Sequence, residues 1–343
     1  MTFNVLSLFD GLSAGNLALE RSGYKSGVDY NYYASEVDQY AINVASKNFP
    51  NIIQLGDVCG VKAKDLPPID LIIAGSPCQG FSVAGKQTAF DHPESVLFFE
   101  FIRLLKEIRP KYFLLENVKM KKEFLDRITN EVSSCYPDFQ GEDMFGGKIE
   151  PILIDSALVS AQSRKRYYWT NIPNITQPED MGILLKDILL DDVEEPMLSN
   201  IYGGFKEKKP RVHTDKSVTI RTASGGGHIP SLIHTAKALD YMNRKVKGGR
   251  THWDFAHHSD IKNDKSSCVT ANFYKGVPYN VLVDAKCIRK VDPVEAERLQ
   301  TIPDNYTAVV KTSNSRRYRM IGNSWTISVI SHIFNNLDFE KKQ

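Results

Sequence analysis

The feature that most constrains this chain is a rhythm in its first 120 residues. Short apolar runs end in small or polar tips, and helix-like stretches separate them. "FNVLSLF" reads as a buried strand. "DGLSAGNLALERSG" reads as a turn and a helix, with Ser13 as its N-cap and Gly23 as its stop. "YYASEV", "NIIQLGDV", "IDLIIAG" and "KYFLLENV" supply four more strands. "DQYAINVASKNF" and "ESVLFFEFIRLLKEIRP" supply helices, the latter ending before Pro110. Such alternation predicts an α/β fold with a doubly wound, Rossmann-like parallel sheet. All five polar tips then lie along one edge, where such sheets bind ligands. They are Phe9-Asp10-Gly11, Ser35-Glu36, Gly56-Asp57, Ser76-Pro77-Cys78 and Glu116-Asn117.

After about residue 185 the alternation stops. Two similar units follow, "KSVTIRTASGGGHIP" and "KSSCVTANFYKGVPYN". Each is a short β-branched run leading into a Gly-containing loop. Residues 186–285 are expected to form a second, smaller domain rich in strands and loops. From about Lys286 the chain is expected to rejoin the first domain, so that 1–185 and 286–343 form one body. Residues 201–250 carry eleven Lys/Arg against three Asp/Glu, about +8, whereas the whole chain is only +2. A basic segment in a near-neutral chain suits either an anionic partner or a solvated face.

Several classes are disfavoured. No run approaches the 18 apolar residues of a membrane helix. The first residues lack a basic, then apolar, secretory pattern. The five cysteines (Cys59, Cys78, Cys135, Cys268, Cys287) are odd in number and form no CxxC. A disulfide framework or a metal site is therefore not expected, and a reducing cytoplasm is.

Each tip has a bland reading and a chemical one. The "FDGLSAG" turn brings small residues to a helix N-terminus, where a ligand can approach backbone N–H groups; a purely structural turn reads the same way. Glu36, on the next tip, suits the two hydroxyls of a ribose, and Asp57 an adenine amine. Singly, each reads as a surface carboxylate. Together, and without a P-loop, they suggest an adenosine-containing cofactor. Cys78 follows a strand end in a proline-primed turn, which favours a cleft nucleophile over a buried apolar thiol. Glu116 on the neighbouring tip is a candidate general acid. Arg164 and Arg166, at i and i+2, would share one face of a strand and could meet phosphate, a carbonyl oxygen or Glu116.

In order along the chain, "LSLFDGLSAG", "ASEVDQYA", "GDV", "GSPCQGFSVAGKQ", "LLENV", "QSRKRYYW", "RKVDPVEAERLQTIPDNYT" and "RYRMIGNSW" resemble the DNA cytosine-5 methyltransferase family of bacterial or phage type. "LFDG" and "GNSW" are also similar to the eukaryotic de novo branch. Ser13 and Ala14 depart from the glycines many members carry. The resemblance implies S-adenosylmethionine as cofactor, held by Phe9, Asp10, Gly11, Gly15, Glu36, Val37, Asp57, Val58, Pro77, Asn323 and Ser324. It implies that Cys78 attacks C6 of an extruded cytosine, that Glu116 holds N3 and the exocyclic amine, and that Arg166 contacts O2. Arg164 would orient Glu116 or a phosphate. Residues 186–285 become a target recognition domain on double-stranded DNA, with Arg221, Thr222, Gly225, Gly226, Thr270 and Asn272 as candidate contacts. Gln79 and Ser82, after the nucleophile, would also face DNA. A monomer is expected, with a cognate restriction endonuclease as the partner such enzymes can have. Two rivals stand beside this reading: an RNA-directed relative of the same fold, and a catalytically silent binding homologue. The second should have lost the nucleophile or cofactor residues, which are all present here.

Overall fold

The computed structural model describes residues 2–76, 95–139, 147–190 and 292–341, with short strands at 198–200, 230–232, 266–267, 282–283 and 288–289. The chain divides into two compact units. The first comprises residues 1–154, 165–177 and 330–343, and the second residues 155–164 and 178–329. The segment expected to read DNA, 186–285, belongs to the second unit and lies mostly outside the described residues.

The first unit is built on a sheet. Its strands are β1 (Phe3–Leu8), β2 (Tyr30–Ser35), β3 (Ile53–Gln54), β4 (Leu71–Gly75), β5 (Tyr112–Val118) and β6 (Ile152–Asp155). After the two-residue β7 (Gln162–Ser163), β8 (Lys165–Thr170) completes it. The order is β3-β2-β1-β4-β5-β8-β6. The five strands expected from the sequence are mutually parallel, so their carboxyl ends share one edge. β8 joins antiparallel to β5, so the sheet is mixed.

Four helices alternate with these strands: α1 (Ala14–Arg21), α2 (Gln39–Asn48), α3 (Ser95–Ile108) and α4 (Lys122–Ser133). α4 carries no strong sequence signal and was not expected; its buried stripe is Phe124, Ile128 and Val132. The strand pleat sends alternate residues to opposite faces. Leu6, Leu8, Ile72, Ala74, Phe113 and Leu115 meet Phe98, Phe101 and Leu105 of α3 and the stripe of α4 in one cluster. Trp169 of β8 joins that cluster, and its ring N–H donates to Thr129 of α4 at 2.9 Å. On the other face, α1 packs so closely that a Cβ on Gly15 would stand 2.1 Å from Ile73 Cδ1 and 2.8 Å from the Tyr32 hydroxyl. The chain end closes the opposite edge of the sheet. Phe339 stacks on Phe3 at 4.1 Å, and Asp338 takes Lys111 at 2.6 Å and the Tyr112 hydroxyl at 2.5 Å.

The second unit is held by buried polar groups. The helix Pro293–Leu299 starts from a capping box, Asp292 with Glu295, and has proline in its first turn, as the sequence suggests. Glu297, fully buried, accepts from the backbone of Asn305 (2.7 Å) and Thr307 (2.8 Å), from the Thr307 hydroxyl, and from Arg317 at 3.1 Å. Gln300 Oε1 accepts from Gln162 (2.7 Å) and Thr326 (2.8 Å).

The close approach at Gly15 yields a stability test. Gly15→Ala should cost about 1–3 kcal/mol, because Ile73 and Tyr32 are both buried and must shift. Urea unfolding should show a lower midpoint with an unchanged slope; an unchanged midpoint would contradict the packing described.

Candidate active site

The turn after β1 is built from residues in unusual conformations. Phe9, Gly11 and Ser13 all have positive φ, at 58°, 60° and 66°. For Phe9 this is a strained position, and such strain persists only where the surroundings enforce it. Enforcement comes from beneath. Asp10 is buried, and its Oδ1 accepts from the Ser7 hydroxyl at 2.6 Å and the Tyr32 hydroxyl at 2.8 Å. Its backbone N–H donates to Ser35 O at 3.1 Å. Ser13 precedes α1 in a left-handed conformation and makes no side-chain cap, contrary to expectation.

Three buried polar atoms under this turn, Asp10 Oδ2, Ser13 Oγ and Asn16 Nδ2, lack a well-formed hydrogen bond. Burial pushes the Asp10 carboxyl up to about 6; the Ser7, Tyr32 and Ser13 hydroxyls oppose the rise and the charge of Glu36 adds to it.

Glu36 ties two tips together. Its Oε2 accepts from Gly11 N, and its Oε1 from Val37 N and Asp38 N, each at 2.8 Å. One oxygen therefore keeps a free lone-pair direction for a hydroxyl donor. Val37 beside it is 72% exposed, an apolar side chain in water at the sheet edge. Asp57, exposed on the third tip, caps the short helix Val58–Gly60 through Cys59 N at 3.0 Å. Val58 itself points into the core cluster, so only its backbone is available to a ligand.

On the fourth and fifth tips, Asn117 Nδ2 donates to Ser76 Oγ at 3.0 Å. Glu116, buried, has Arg166 Nε 2.9 Å from its Oε1, a close charge contact. The register explains the pairing. Tyr168 lies opposite Glu116, so Arg166 is its diagonal neighbour on the same face. Arg164, expected on the same strand face, instead precedes β8 and belongs to the second unit. There its Nη2 donates to the carbonyls of Ser324 (3.0 Å) and Gly322 (3.3 Å). The helix Asn314–Asn323 thus ends on Arg164, with Asn323 exposed beside it. Both arginines are buried rather than the surface charges that isolated arginines usually are.

These positions fit an adenosyl cofactor within the first unit. Gly11 has open space where a side chain would be. Glu36 retains acceptor capacity, Val37 and Phe9 offer apolar cover, and Asp57 is accessible. Gly15, also expected beside the ligand, has no room for a side chain because α1 packs tightly on the sheet there. Ser7, Tyr32 and Asn16 were missed by sequence reasoning. Their only signal was polarity inside runs otherwise made for the core. Pro77, Cys78, Gln79, Ser82, Arg221, Thr222, Gly225, Gly226, Thr270 and Asn272 lie outside the described residues.

Residues 3–338 match the family described as C-5 cytosine-specific DNA methylase. The chain belongs to that family. Among curated relatives, the orphan methyltransferase M.SPRI of Bacillus phage SPR is 42% identical over 97% of both chains. The type II methyltransferase M.HhaI of Haemophilus parahaemolyticus is 29% identical, over 97% of this chain and 93% of the relative. Among solved structures, the Entamoeba histolytica methyltransferase EhMeth shares the fold with TM-score 0.63 at 17% identity, over 98% of each chain. A mutant of Spodoptera frugiperda DNMT2 shares it with TM-score 0.56 at 19% identity, over 98% of this chain and 99% of that one. The fold is that of DNA methyltransferases, and the chain is an enzyme of cytosine-5 methylation in DNA.

The raised Asp10 gives this methylase a pH signature. Below its ordinary 3.8 the carboxyl is protonated whether folded or unfolded. Between there and about 6 only the folded form holds the proton, so stability falls as pH rises. Above about 6 the loss is complete, at about 3 kcal/mol. Asp10→Asn keeps an Oδ1 acceptor for Ser7 and Tyr32 without the charge. It should match the wild type near pH 4 and exceed it in stability at pH 7, measured by urea unfolding at both. Equal pH dependence in the two proteins would contradict the burial of a charge at Asp10.

Proposed function

We propose that this enzyme transfers a methyl group from S-adenosylmethionine to C5 of a cytosine extruded from a specific duplex DNA site. The observation that carries the reading is the buried Glu116–Arg166 pair at the end of β5, on the same sheet edge as the Asp10–Glu36 turn. A fixed carboxyl–guanidinium pair offers a pyrimidine hydrogen-bonding groups at N3, the exocyclic amine and O2.

The bound cofactor supplies an electrophilic methyl on a sulfonium. Phe9 and Val37 cover its adenine, Glu36 takes the ribose hydroxyls, and Asp57 the adenine amine. The Gly11 turn would lie toward its amino-acid end. Unstacking the target base costs a few kcal/mol, repaid by contacts in the pocket. The Cys78 thiolate then adds to C6, and the displaced electron pair makes C5 nucleophilic. A bound S-adenosylmethionine would supply the methyl that C5 takes, with its thioether as the leaving group. Loss of the C5 proton to a base and expulsion of Cys78 restore the aromatic ring. Glu116 holds N3 and the amine throughout, held in turn by Arg166. Arg164, on the Gly322–Ser324 carbonyls, fixes the segment that carries Asn323. Base readout falls to 186–285, with Arg221, Thr222, Gly225, Gly226, Thr270 and Asn272 as its contacts and Gln79 and Ser82 beside the nucleophile. The enzyme works as a monomer in the cytoplasm. The name of M.HhaI places that relative in a type II system, with which a cognate endonuclease would be consistent; M.SPRI is named an orphan.

Cys78→Ser should abolish methyl transfer to duplex DNA while retaining DNA binding. Bisulfite sequencing of DNA from cells expressing the wild type should show 5-methylcytosine at one sequence, absent with the variant. Label transferred only to RNA, or undiminished turnover by Cys78→Ser, would overturn this reading.

A further inference from the structure

β5 ends at Val118, opposite Arg166, and the chain continues as "KMKK". Met120 is buried in the core cluster at 6% exposure, and Lys121 is extended (φ −66°, ψ 153°). Lys119 and Lys121 flank that anchored residue. Both are exposed. Lys119 stands three residues beyond Glu116, about 10 Å of extended chain. The two lysines therefore follow directly on the strand tip that carries Glu116, within the same unit as the Glu116–Arg166 pair.

Their neighbours leave them available. Lys122 is engaged by Asp126 at 2.6 Å, one helical turn on. Among the described residues, Lys121 pairs with Glu123 at 3.9 Å, with both side chains about half exposed or more. Such a contact contributes little and exchanges readily for a phosphate.

We propose that Lys119 and Lys121 clamp the phosphate backbone of duplex DNA beside the cytosine seated at Glu116. The proposal rests on the DNA-methylating reading above. DNA whose base reaches Glu116 must carry its flanking phosphates past this strand tip. Two lysines there bind backbone without regard to sequence.

The test is duplex binding by the full-length Lys119→Gln/Lys121→Gln protein, followed by fluorescence anisotropy of a labelled mixed-sequence duplex across a salt series. Each phosphate contact contributes about 0.9 to the slope of log K against log salt. The double variant should bind about tenfold more weakly at moderate salt, with a slope shallower by about 2. Lys119→Arg/Lys121→Arg should restore both, and Lys64→Gln, in the β3–β4 connection, should change neither. Circular dichroism and a thermal midpoint confirm that each variant is folded. An unchanged slope in the double variant, or an equal loss in Lys64→Gln, overturns the clamp alone. A wild type that binds single-stranded RNA but no duplex overturns both the clamp and the proposed function.

Discussion

The sheet edge depends on one buried carboxylate. Asp10 sits where β1 leaves the sheet, and its Oδ1 gathers the hydroxyls of Ser7, one strand turn back, and Tyr32, on the neighbouring strand. Those bonds hold the turn in a conformation that Phe9 and Ser13 would not adopt alone. The turn in turn presents Gly11 N–H to Glu36, which pins the second tip through Val37 and Asp38. A carboxylate fixed by three backbone donors loses little freedom when a hydroxyl arrives, which is the advantage of a preorganised site. The charge on Asp10 makes this scaffold costly, because burial opposes ionisation there. Stability is surrendered at the place where the ligand-facing backbone is shaped.

Much of this architecture is legible in the sequence, because a parallel sheet writes itself in apolar runs and tips. The five strands, their order of tips, and the roles of Glu36, Asp57 and Glu116 as edge carboxylates follow from local pattern. Boundaries shift by a few residues: β2 begins at Tyr30 rather than Tyr32, and β3 shrinks to Ile53–Gln54. These shifts arise because pairing with a neighbour, not composition, decides where a ladder stops. α4 was invisible for a related reason. Its first turn is lysine- and glutamate-rich, and its few apolar residues, Phe124, Ile128 and Val132 with Leu125 beside them, commit it to the core.

What the sequence could not show are the polar contacts between distant segments. Ser7 and Tyr32 are 25 residues apart, and nothing local marks them as partners of the same carboxylate. Gly15 looks like part of a ligand-binding turn, yet its lack of a side chain is required by Ile73 on β4. The same limit applies to the two arginines. Spacing places them on one face, but β8 starts at Lys165, and Arg164 turns to the carbonyls that end a helix 150 residues later.

The Glu116–Arg166 pair has a further implication. Burying two charges costs several kcal/mol in desolvation, and an apolar pair of similar volume often stabilises as well or better. The pair is therefore a poor device for stability at this position, flanked by Leu114, Leu115 and Tyr168, all buried. It is a good device for direction. The antiparallel register sets Arg166 diagonally from Glu116, so its planar guanidinium approaches along the sheet and restricts how the carboxyl can turn. Asn117, one residue on, points to the other face and donates to Ser76 just past β4, locking that strand's tip to this one. Two adjacent side chains of β5 thus fix the fourth and fifth tips and the neighbouring antiparallel strand at once. Displacement of any one of these strands would be felt at the carboxyl, which ties the accuracy of the site to the order of the sheet.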